Sequence, residues 1–288
     1  MLQGVIIEAA INGATKKDAN PNVPISPEEI ADDALACLEA GASVIHAHCD
    51  PPGGPDDEVA ERYLAGFRPV WQQRPDALLY PTINFGAGGL SFGHLPLLAK
   101  EGLRLGLLDP GSVNLGRLGD DGLPTSAFVY ATSFDRIKEV FAMHGDLGLG
   151  PSLAIYEPGF LRTTMAYWRA GKLPRGTMIK LYLAEDRGLM GGPFGLPVTE
   201  KGLDAYLEIL GDCDVPWAVS AVGGDIVRSP VARLAIERGG HLHLGLEFYG
   251  GDRTPTNVEL VREAVALCES VGRPVASSKD AAEILGLP

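Results

Sequence analysis

The chain has 288 residues, and 45% of them are hydrophobic, which is enough to bury one large core. We therefore expect one domain spanning residues 1–288. The 24 basic and 37 acidic side chains give a net charge of −13, which repels a phosphate backbone and argues against a nucleic-acid partner.

The four cysteines stand far apart in the sequence, at Cys37, Cys49, Cys213 and Cys268. Their spacing indicates neither a cysteine zinc site nor a disulfide framework. The amino terminus has no basic segment before its apolar run, and no stretch approaches the roughly 20 apolar residues that a membrane span needs. We predict a cytoplasmic protein with no membrane partner.

Short β-rich apolar runs alternate with helical patterns along the chain, which predicts parallel strands joined by crossover helices. Eight such units without a nucleotide-binding fingerprint favour an α/β fold of the (β/α)₈ (TIM) barrel type. An open doubly wound sheet is the alternative. The predicted strands are 5–11, 42–48, 78–84, 103–108, 152–157, 178–184, 217–222 and 241–247.

Helix boundaries are marked at both ends of the chain. Ser26 and Glu29 form a predicted capping box for the first helix, and Gly41 ends it. The last long helix is predicted to begin with Asn257 as its cap, and 281–285 to add a short closing turn.

Four of the six histidines form two His-x-His pairs, His46/His48 and His241/His243, each in a predicted strand. Residues two apart in a strand face the same side, so both imidazoles of a pair can reach one centre. Glu247 lies in phase with the second pair. Strands two and eight both flank strand one, about 10 Å apart, and inward side chains bridge that gap.

Two imidazoles and a carboxylate with one open position are typical of catalytic zinc. We therefore predict that His46, His48 and Glu247 bind zinc or another divalent metal. His241 lies about 20 Å further down its strand, so we interpret it as structural. His94 and His144 are interpreted as surface or helix-end residues.

Glu8 interrupts the apolar run of the first strand, between the two histidine strands. A carboxylate inside a barrel must be paired, protonated or bound to something. Two roles stay open for it: a catalytic one, as the partner of a histidine or as an acid/base group, and a structural ion pair.

Polar residues at or beyond the other strand ends are predicted to bind or orient the substrate. A glycine-rich loop follows strand six, and its backbone N–H groups are suited to an anion. The predicted substrate contacts from these segments are Thr82, Asn84, Ser112, Asn114, Glu157, Arg187 and Gly191.

With these residues laid out, the chain resembles the β-keto acid cleavage enzyme family over its full length. The resemblance is carried by AAINGA at 9–14, PNVPISPEEIA at 21–31, EAGA and VIHAH within 39–48, and GGH to GLE within 239–247. It implies a metal-dependent (β/α)₈ barrel that converts a β-keto acid and acetyl-CoA into acetoacetate and a new CoA thioester.

The resemblance also implies specific residues and an assembly. The family's zinc ligands match His46, His48 and Glu247, and a further catalytic polar residue after strand three, here Asn84 or Thr82, orients the substrate. Relatives in the family suggest a homotetramer.

Three positions depart from the family pattern. His243 stands where the family has an arginine, Phe248 where it has an aspartate, and Thr15 where it has a glutamate. Loss of both carboxylates argues against a substrate with an ammonium group, and Phe248 is expected to make the pocket more apolar. His243 is predicted to be a catalytic acid/base group, with a fourth metal ligand as the alternative.

The leading hypothesis is a zinc-dependent acyltransferase or lyase that breaks a carbon–carbon bond of a β-keto acid with acetyl-CoA as co-substrate. A second keeps the metal but replaces the reaction by an aldolase-type or hydrolytic step without CoA. A third is a non-catalytic metal-binding barrel. Exchange of label between acetyl-CoA and acetoacetate separates the first hypothesis from the second.

Overall fold

The computed structural model describes residues 3–86, 89–126, 128–186 and 188–287. Its centre is a parallel sheet whose eight main strands are here β1 to β8, and a ninth, two-residue strand, Leu196–Pro197, pairs with the sixth of them. The bounds of β1 to β8 are Ile7–Ala10, Val44–His46, Leu78–Tyr80, Leu105–Leu108, Gly150–Ile155, Met178–Ala184, Trp217–Val222 and His241–Leu244.

The strands are hydrogen-bonded in the order β3, β2, β1, β8, β7, β6, β5, β4, and the two end strands lie against each other. The sheet therefore forms a nearly closed barrel. This confirms the predicted (β/α)₈ fold, and the open doubly wound alternative is wrong. Seven of the eight predicted runs contain one of these strands, and the run 152–157 overlaps the fifth, which begins earlier, at Gly150. The runs are visible in the sequence because buried parallel strands are apolar on both faces.

Helices surround the barrel. Their bounds are α1 Pro27–Ala40, α2 Asp56–Gln73, α3 Leu95–Ala99, α4 Phe134–Leu147, α5 Pro158–Arg169, α6 Glu200–Leu210, α7 Pro230–Glu237, α8 Asn257–Val271 and α9 Ser278–Leu285. Among the described residues, no helix is both long enough and apolar enough to cross a membrane.

The capping signals of α1 are confirmed: Ser26 and Glu29 form the capping box, and Gly41 ends the helix in the left-handed conformation. The predicted cap of α8 is wrong. Thr256 caps that helix, because its hydroxyl accepts the N–H of Glu259, whereas the amide of Asn257 donates to the carbonyl of Ile11 at 2.8 Å.

Two segments extend the connections at the carboxyl ends of the strands. A hairpin of Asn84–Gly86 and Gly89–Ser91 follows β3. A longer excursion follows β4, in which Ser112–Asn114 pairs with Val129–Ala131 and a two-residue ladder joins Arg117–Leu118 to Pro124–Thr125. Both segments contribute to the wall of the cavity described below. This is the end of the barrel at which enzymes with a (β/α)₈ fold hold their active sites.

Candidate metal centre and cavity

The three predicted ligands come from the carboxyl ends of β2 and β8. His46 is the last residue of β2, and His48 follows it outside the strand. Glu247 lies on a turn beyond β8, which ends at Leu244. The argument that Glu247 lies on the same strand face as His241 and His243 is therefore wrong, because the strand ends before it. Glu247 nevertheless lies beside His46 and His48.

A glycine sets the position of Glu247. Gly245 has a φ of +131°, and a Cβ there would lie 2.1 Å from the carbonyl oxygen of Ala10. Only glycine combines this conformation with so close a backbone approach. The chain then turns, and the N–H of Glu247 donates to the same carbonyl at 3.1 Å, which directs the carboxylate at the histidines.

The three side chains converge closely. The Nε2 atom of His46 lies 3.3 Å from one carboxylate oxygen of Glu247, and the Nε2 atom of His48 lies 3.0 Å from the other. One ligand atom from each residue lies within 4.8 Å of the others. Nε2 of His48 and Oε2 of Glu247 are buried and have no hydrogen-bond partner among the described residues. A divalent cation fits this donor set.

The protonation states also suit a cation. Burial lowers the pKa of His46 to about 3, so its imidazole is neutral at pH 7, which is the ligating form. Its Nδ1 atom lies 3.3 Å from the carbonyl oxygen of Tyr80, which leaves Nε2 for the metal. Burial raises the pKa of Glu247, but the interactions with His48 and His46 outweigh it and hold the pKa at about 2.

Glu8 belongs to a buried cluster one layer deeper in the barrel. Its carboxylate lies 3.3 Å from Nζ of Lys180 and 3.2 Å from Nε2 of His243, and it accepts a hydrogen bond from the hydroxyl of Tyr80. Burial raises the pKa of Glu8, but Lys180 and His243 outweigh it, so the carboxylate is ionised. Glu8 is thus ion-paired, and its histidine partner lies outside the three-residue cluster.

His243 lies outside the group of side chains that could hold a metal in the described part of the chain. Its Nε2 atom faces Glu8, and burial lowers its pKa, with Lys180 adding to the effect. The fourth-ligand alternative for His243 is therefore wrong in this geometry.

Lys180 and Tyr80 were missed by the sequence analysis. Lys180 interrupts the apolar run of β6 just as Glu8 interrupts that of β1, so the same signal would have found it. Tyr80 stacks on His46 with ring centroids 4.4 Å apart, and its hydroxyl accepts a hydrogen bond from Nζ of Lys180 at 2.7 Å. An aromatic residue in a strand normally indicates core packing, so the sequence held no signal for Tyr80.

A cavity of about 290 Å³ opens beside the three-residue cluster. His48, Glu247 and the predicted substrate residue Thr82 line it. Asp109 lines it as well and accepts a hydrogen bond from the hydroxyl of Tyr130 at 2.6 Å. Burial raises the pKa of Asp109 to about 6. The cavity therefore places polar groups at its inner end.

Two predicted site residues are turned away from this cavity. The amide of Asn84 donates to Asp56 at 2.6 Å and to the carbonyl of Gly54 at 3.0 Å, so it ties the hairpin after β3 to α2. Phe248 packs on Tyr182 with ring centroids 5.1 Å apart. Neither lines the cavity, so the expectation that Phe248 makes it more apolar is wrong.

The remaining predicted contacts that the structure describes also lie outside the cavity lining. The hydroxyl of Ser112 accepts the N–H of Thr132 at 3.1 Å, and Asn114 pairs in the same ladder. The carboxylate of Glu157 accepts the N–H of Gly195 at 2.9 Å. Gly191 contributes a turn with φ of +89°. Arg187 lies outside the described residues.

The other histidines have structural contacts. Nδ1 of His241 accepts the N–H of Ile6 at 2.9 Å, in agreement with its structural interpretation. His94 and His144 were interpreted as surface or helix-end residues, and the structure supports the second reading: both are fully buried, His94 at the start of α3 and His144 in the last turn of α4. Each bonds to a backbone carbonyl, that of Thr82 and that of Val140.

A nearly closed (β/α)₈ barrel, with a cavity of polar and apolar side chains at the carboxyl ends of its strands, is the architecture of the (β/α)₈ barrel enzymes. The sequence profile of the β-keto acid cleavage enzymes matches residues 4–287, and the chain belongs to that family. This confirms the resemblance seen in the sequence.

Individual relatives cover nearly the same length. The chain is 28% identical over 293 residues to the 3-keto-5-aminohexanoate cleavage enzyme of Acetoanaerobium sticklandii, covering 99% of each chain. It is 30% identical over 301 residues to the 3-oxoadipate:acetyl-CoA acetyltransferase of Cupriavidus necator, covering 100% of this chain and 96% of that one.

A solved structure, the apo structure of ObcA, matches with a TM-score of 0.66 and 16% sequence identity. The match covers 93% of this chain and 66% of that one. At this identity it supports the barrel fold alone.

Proposed function

We propose that the chain is a zinc-dependent acyltransferase that acts on a β-keto acid and acetyl-CoA. The bond between C2 and C3 of the keto acid breaks, together with the C–S bond of acetyl-CoA. The released CH₂COO⁻ unit bonds to the acetyl carbon, and the sulfur of CoA bonds to the remaining acyl group. The products are acetoacetate and a new CoA thioester, with no net change in protons or oxidation state.

The observation that carries the proposal is the cluster of His46, His48 and Glu247, whose orphaned ligand atoms adjoin a cavity of substrate size. The names of relatives add support, because three of them pair acetyl-CoA with different keto compounds: 3-oxoadipate, 3-dehydrocarnitine and 3,5-dioxohexanoate. Acetyl-CoA is the component that these names share.

Nε2 of His46, Nε2 of His48 and the carboxylate of Glu247 would hold the zinc ion. When bound, the ion supplies a Lewis acid that polarises the keto group and compensates the negative charge of the substrate. His46 and Glu247 are already in their ligating protonation states at neutral pH.

The side chain of Asn12 holds the backbone that carries His48. Its oxygen accepts the N–H of His48 at 2.8 Å, and its nitrogen donates to the carbonyl of His48 at 2.9 Å. Such contacts keep a ligand in one orientation, which lowers the entropy lost on binding. Thr82 has the hydroxyl that we expect to bind the substrate carboxylate, since it lines the cavity together with His48.

Glu8 and His243, predicted to be catalytic, enter the proposal as positioning residues. Neither lines the cavity, and both lie beneath the ligands with Tyr80, which stacks on His46. A homotetrameric assembly and a cytoplasmic location are also part of the proposal.

Isotope exchange tests the reaction. Zinc-loaded protein is incubated with labelled acetyl-CoA and unlabelled acetoacetate, and label is expected to appear in acetoacetate. Chelation should abolish the exchange, and zinc should restore it. Absence of exchange in the zinc-loaded protein contradicts the proposal, and consumption of β-keto acids at an equal rate without acetyl-CoA supports the CoA-free alternative.

A further inference from the structure

We infer that the keto acid used by this chain carries an uncharged, apolar side chain, which packs on Phe85, Phe128 and Met190 at the mouth of the cavity. The inference rests on the proposed function, because it specifies the substrate of that site. The three side chains are 43%, 42% and 60% exposed, and they line the same cavity as His48 and Glu247. Large apolar groups exposed at a pocket mouth indicate a ligand contact.

The backbone of Met190 provides a second, independent observation. With a φ of +65°, it is the one residue other than glycine with positive φ in the described part of the chain. The turn is fixed on both sides: the N–H of Gly191 donates to the carbonyl of Gly188 at 2.9 Å, and a Cβ on Gly192 would lie 2.4 Å from the carbonyl oxygen of Gly116. Such strained residues cluster at ligand sites, and a thioether adapts to irregular apolar groups.

The wall between the mouth and the three-residue cluster is also apolar. Leu115, Tyr156 and Ile25 extend it inward. The polar side chain of Thr15 in this lining is already satisfied, because its hydroxyl donates to the carbonyl of Leu246 at 2.8 Å. A hydrocarbon group that packs against Leu115 and Ile25 removes apolar surface from water.

The charges of the lining suit neither a cationic nor an anionic side chain. Of the carboxylates, Glu247 faces the histidines, Asp50 is exposed at the rim, and Asp109 is bonded to Tyr130. Asp109 is buried, and the hydroxyl of Tyr130 already donates to one of its carboxylate oxygens. Lys16, exposed at the rim, is the basic side chain of the described lining, and a solvated amine contributes little to binding an anion.

A matched pair of substrates tests the inference in the unmodified protein. 3-Oxohexanoate and 3-oxoadipate share a six-carbon chain and differ in a terminal methyl against a carboxylate. We expect kcat/KM to be about tenfold higher for 3-oxohexanoate, and to rise about threefold to fourfold with each methylene from acetoacetate to 3-oxohexanoate. Equal or better use of 3-oxoadipate, or of 3-keto-5-aminohexanoate, overturns the inference.

Two variants test the named residues. Met190→Ala and Phe128→Ala should each lower kcat/KM for 3-oxohexanoate about fivefold to tenfold, with the KM for acetyl-CoA and the metal content unchanged. Phe134→Ala is the matched control, because Phe134 is 73% exposed but outside the cavity lining, and it should change nothing. A changed KM for acetyl-CoA instead would assign the mouth to the co-substrate and overturn the inference.

The two proposals fail in distinguishable ways. Label exchange with acetoacetate, whose side chain is a methyl group, tests the reaction without regard to the mouth. Calorimetric titration with 3-oxohexanoate and 3-oxoadipate in the absence of acetyl-CoA tests the mouth without turnover. Weaker binding of 3-oxohexanoate to Met190→Ala than to the unmodified protein is expected, and equal binding contradicts the inference even if exchange succeeds.

Discussion

The ammonium group of Lys180 lies 3.3 Å from the carboxylate of Glu8 in the interior of the barrel, on side chains that are 4% and 1% exposed. The hydroxyl of Tyr80 bonds to both, and Nε2 of His243 lies 3.2 Å from the same carboxylate oxygen. Two opposite charges removed from water in this way are stable only while both are present. The stability of the barrel therefore depends on the Lys180–Glu8 ion pair, which lies beneath the candidate metal ligands.

Lys180→Met should lower the free energy of unfolding by about 3–5 kcal/mol at pH 7, because it leaves the charge of Glu8 buried without its lysine partner. Urea unfolding measures this difference. The double variant Glu8→Gln/Lys180→Met should recover most of the loss. Arg136→Ala is the control, since its pair with Glu139 is exposed and should contribute about 1 kcal/mol or less. If Lys180→Met lowered the free energy of unfolding by less than Arg136→Ala does, the buried pair would not be needed for stability.

Zinc should raise the melting temperature of the protein by about 5 °C at a concentration 100 times its Kd, because a ligand that binds only the folded state stabilises it by mass action. His46→Ala and Glu247→Ala should each lose this shift and most of the bound metal. Circular dichroism should show an intact fold in both variants. Unchanged metal stoichiometry in both would remove the proposed site.

Gly13→Ala should weaken zinc binding about 10-fold to 100-fold, since its Cβ would lie 2.2 Å from Cγ of Glu247 and displace that ligand. The φ of Gly13 is +57°, so a side chain also strains the backbone. Gly171→Ala is the matched control, with a φ of +62° and open space around the new Cβ. Competition with a chromophoric chelator measures both affinities, and equal losses in the two variants would assign the effect to backbone strain alone.

Stability should fall as the pH drops from about 6.5 to 4. Burial lowers the pKa of His94 and of His144 to about 4, from an ordinary value of 6.5. In that window the unfolded chain takes up protons that the folded chain does not, so unfolding becomes easier as the pH falls. Each histidine contributes up to about 3 kcal/mol to this loss.

The variant His144→Gln tests this assignment. Its free energy of unfolding should depend less steeply on pH between 6.5 and 4, by about one proton, in urea titrations carried out with a chelator present. An identical slope in the variant would mean that His144 is protonated in the folded protein.

Local sequence patterns determined the barrel and two of the three metal-ligand candidates. Apolar runs alternating with amphipathic segments predict eight parallel strands, and a His-x-His pair at a strand end predicts two imidazoles on one side. The same logic would have found Lys180, because a charge inside a buried strand needs a partner. The apolar runs, the His-x-His pair and the buried charge each depend only on the spacing of residues within one segment, and that spacing can be read from the sequence.

Only the tertiary structure decided what these segments meet. Glu247 reaches the histidines because a glycine turn passes close to the carbonyl of Ala10, and strand parity does not describe that turn. Asn84 lies at the predicted strand end, yet it is bonded to Asp56 in a helix. The cavity mouth brings Phe85, Phe128 and Met190 together from three separate connections. Contacts between distant segments depend on packing in three dimensions, and no local periodicity specifies them.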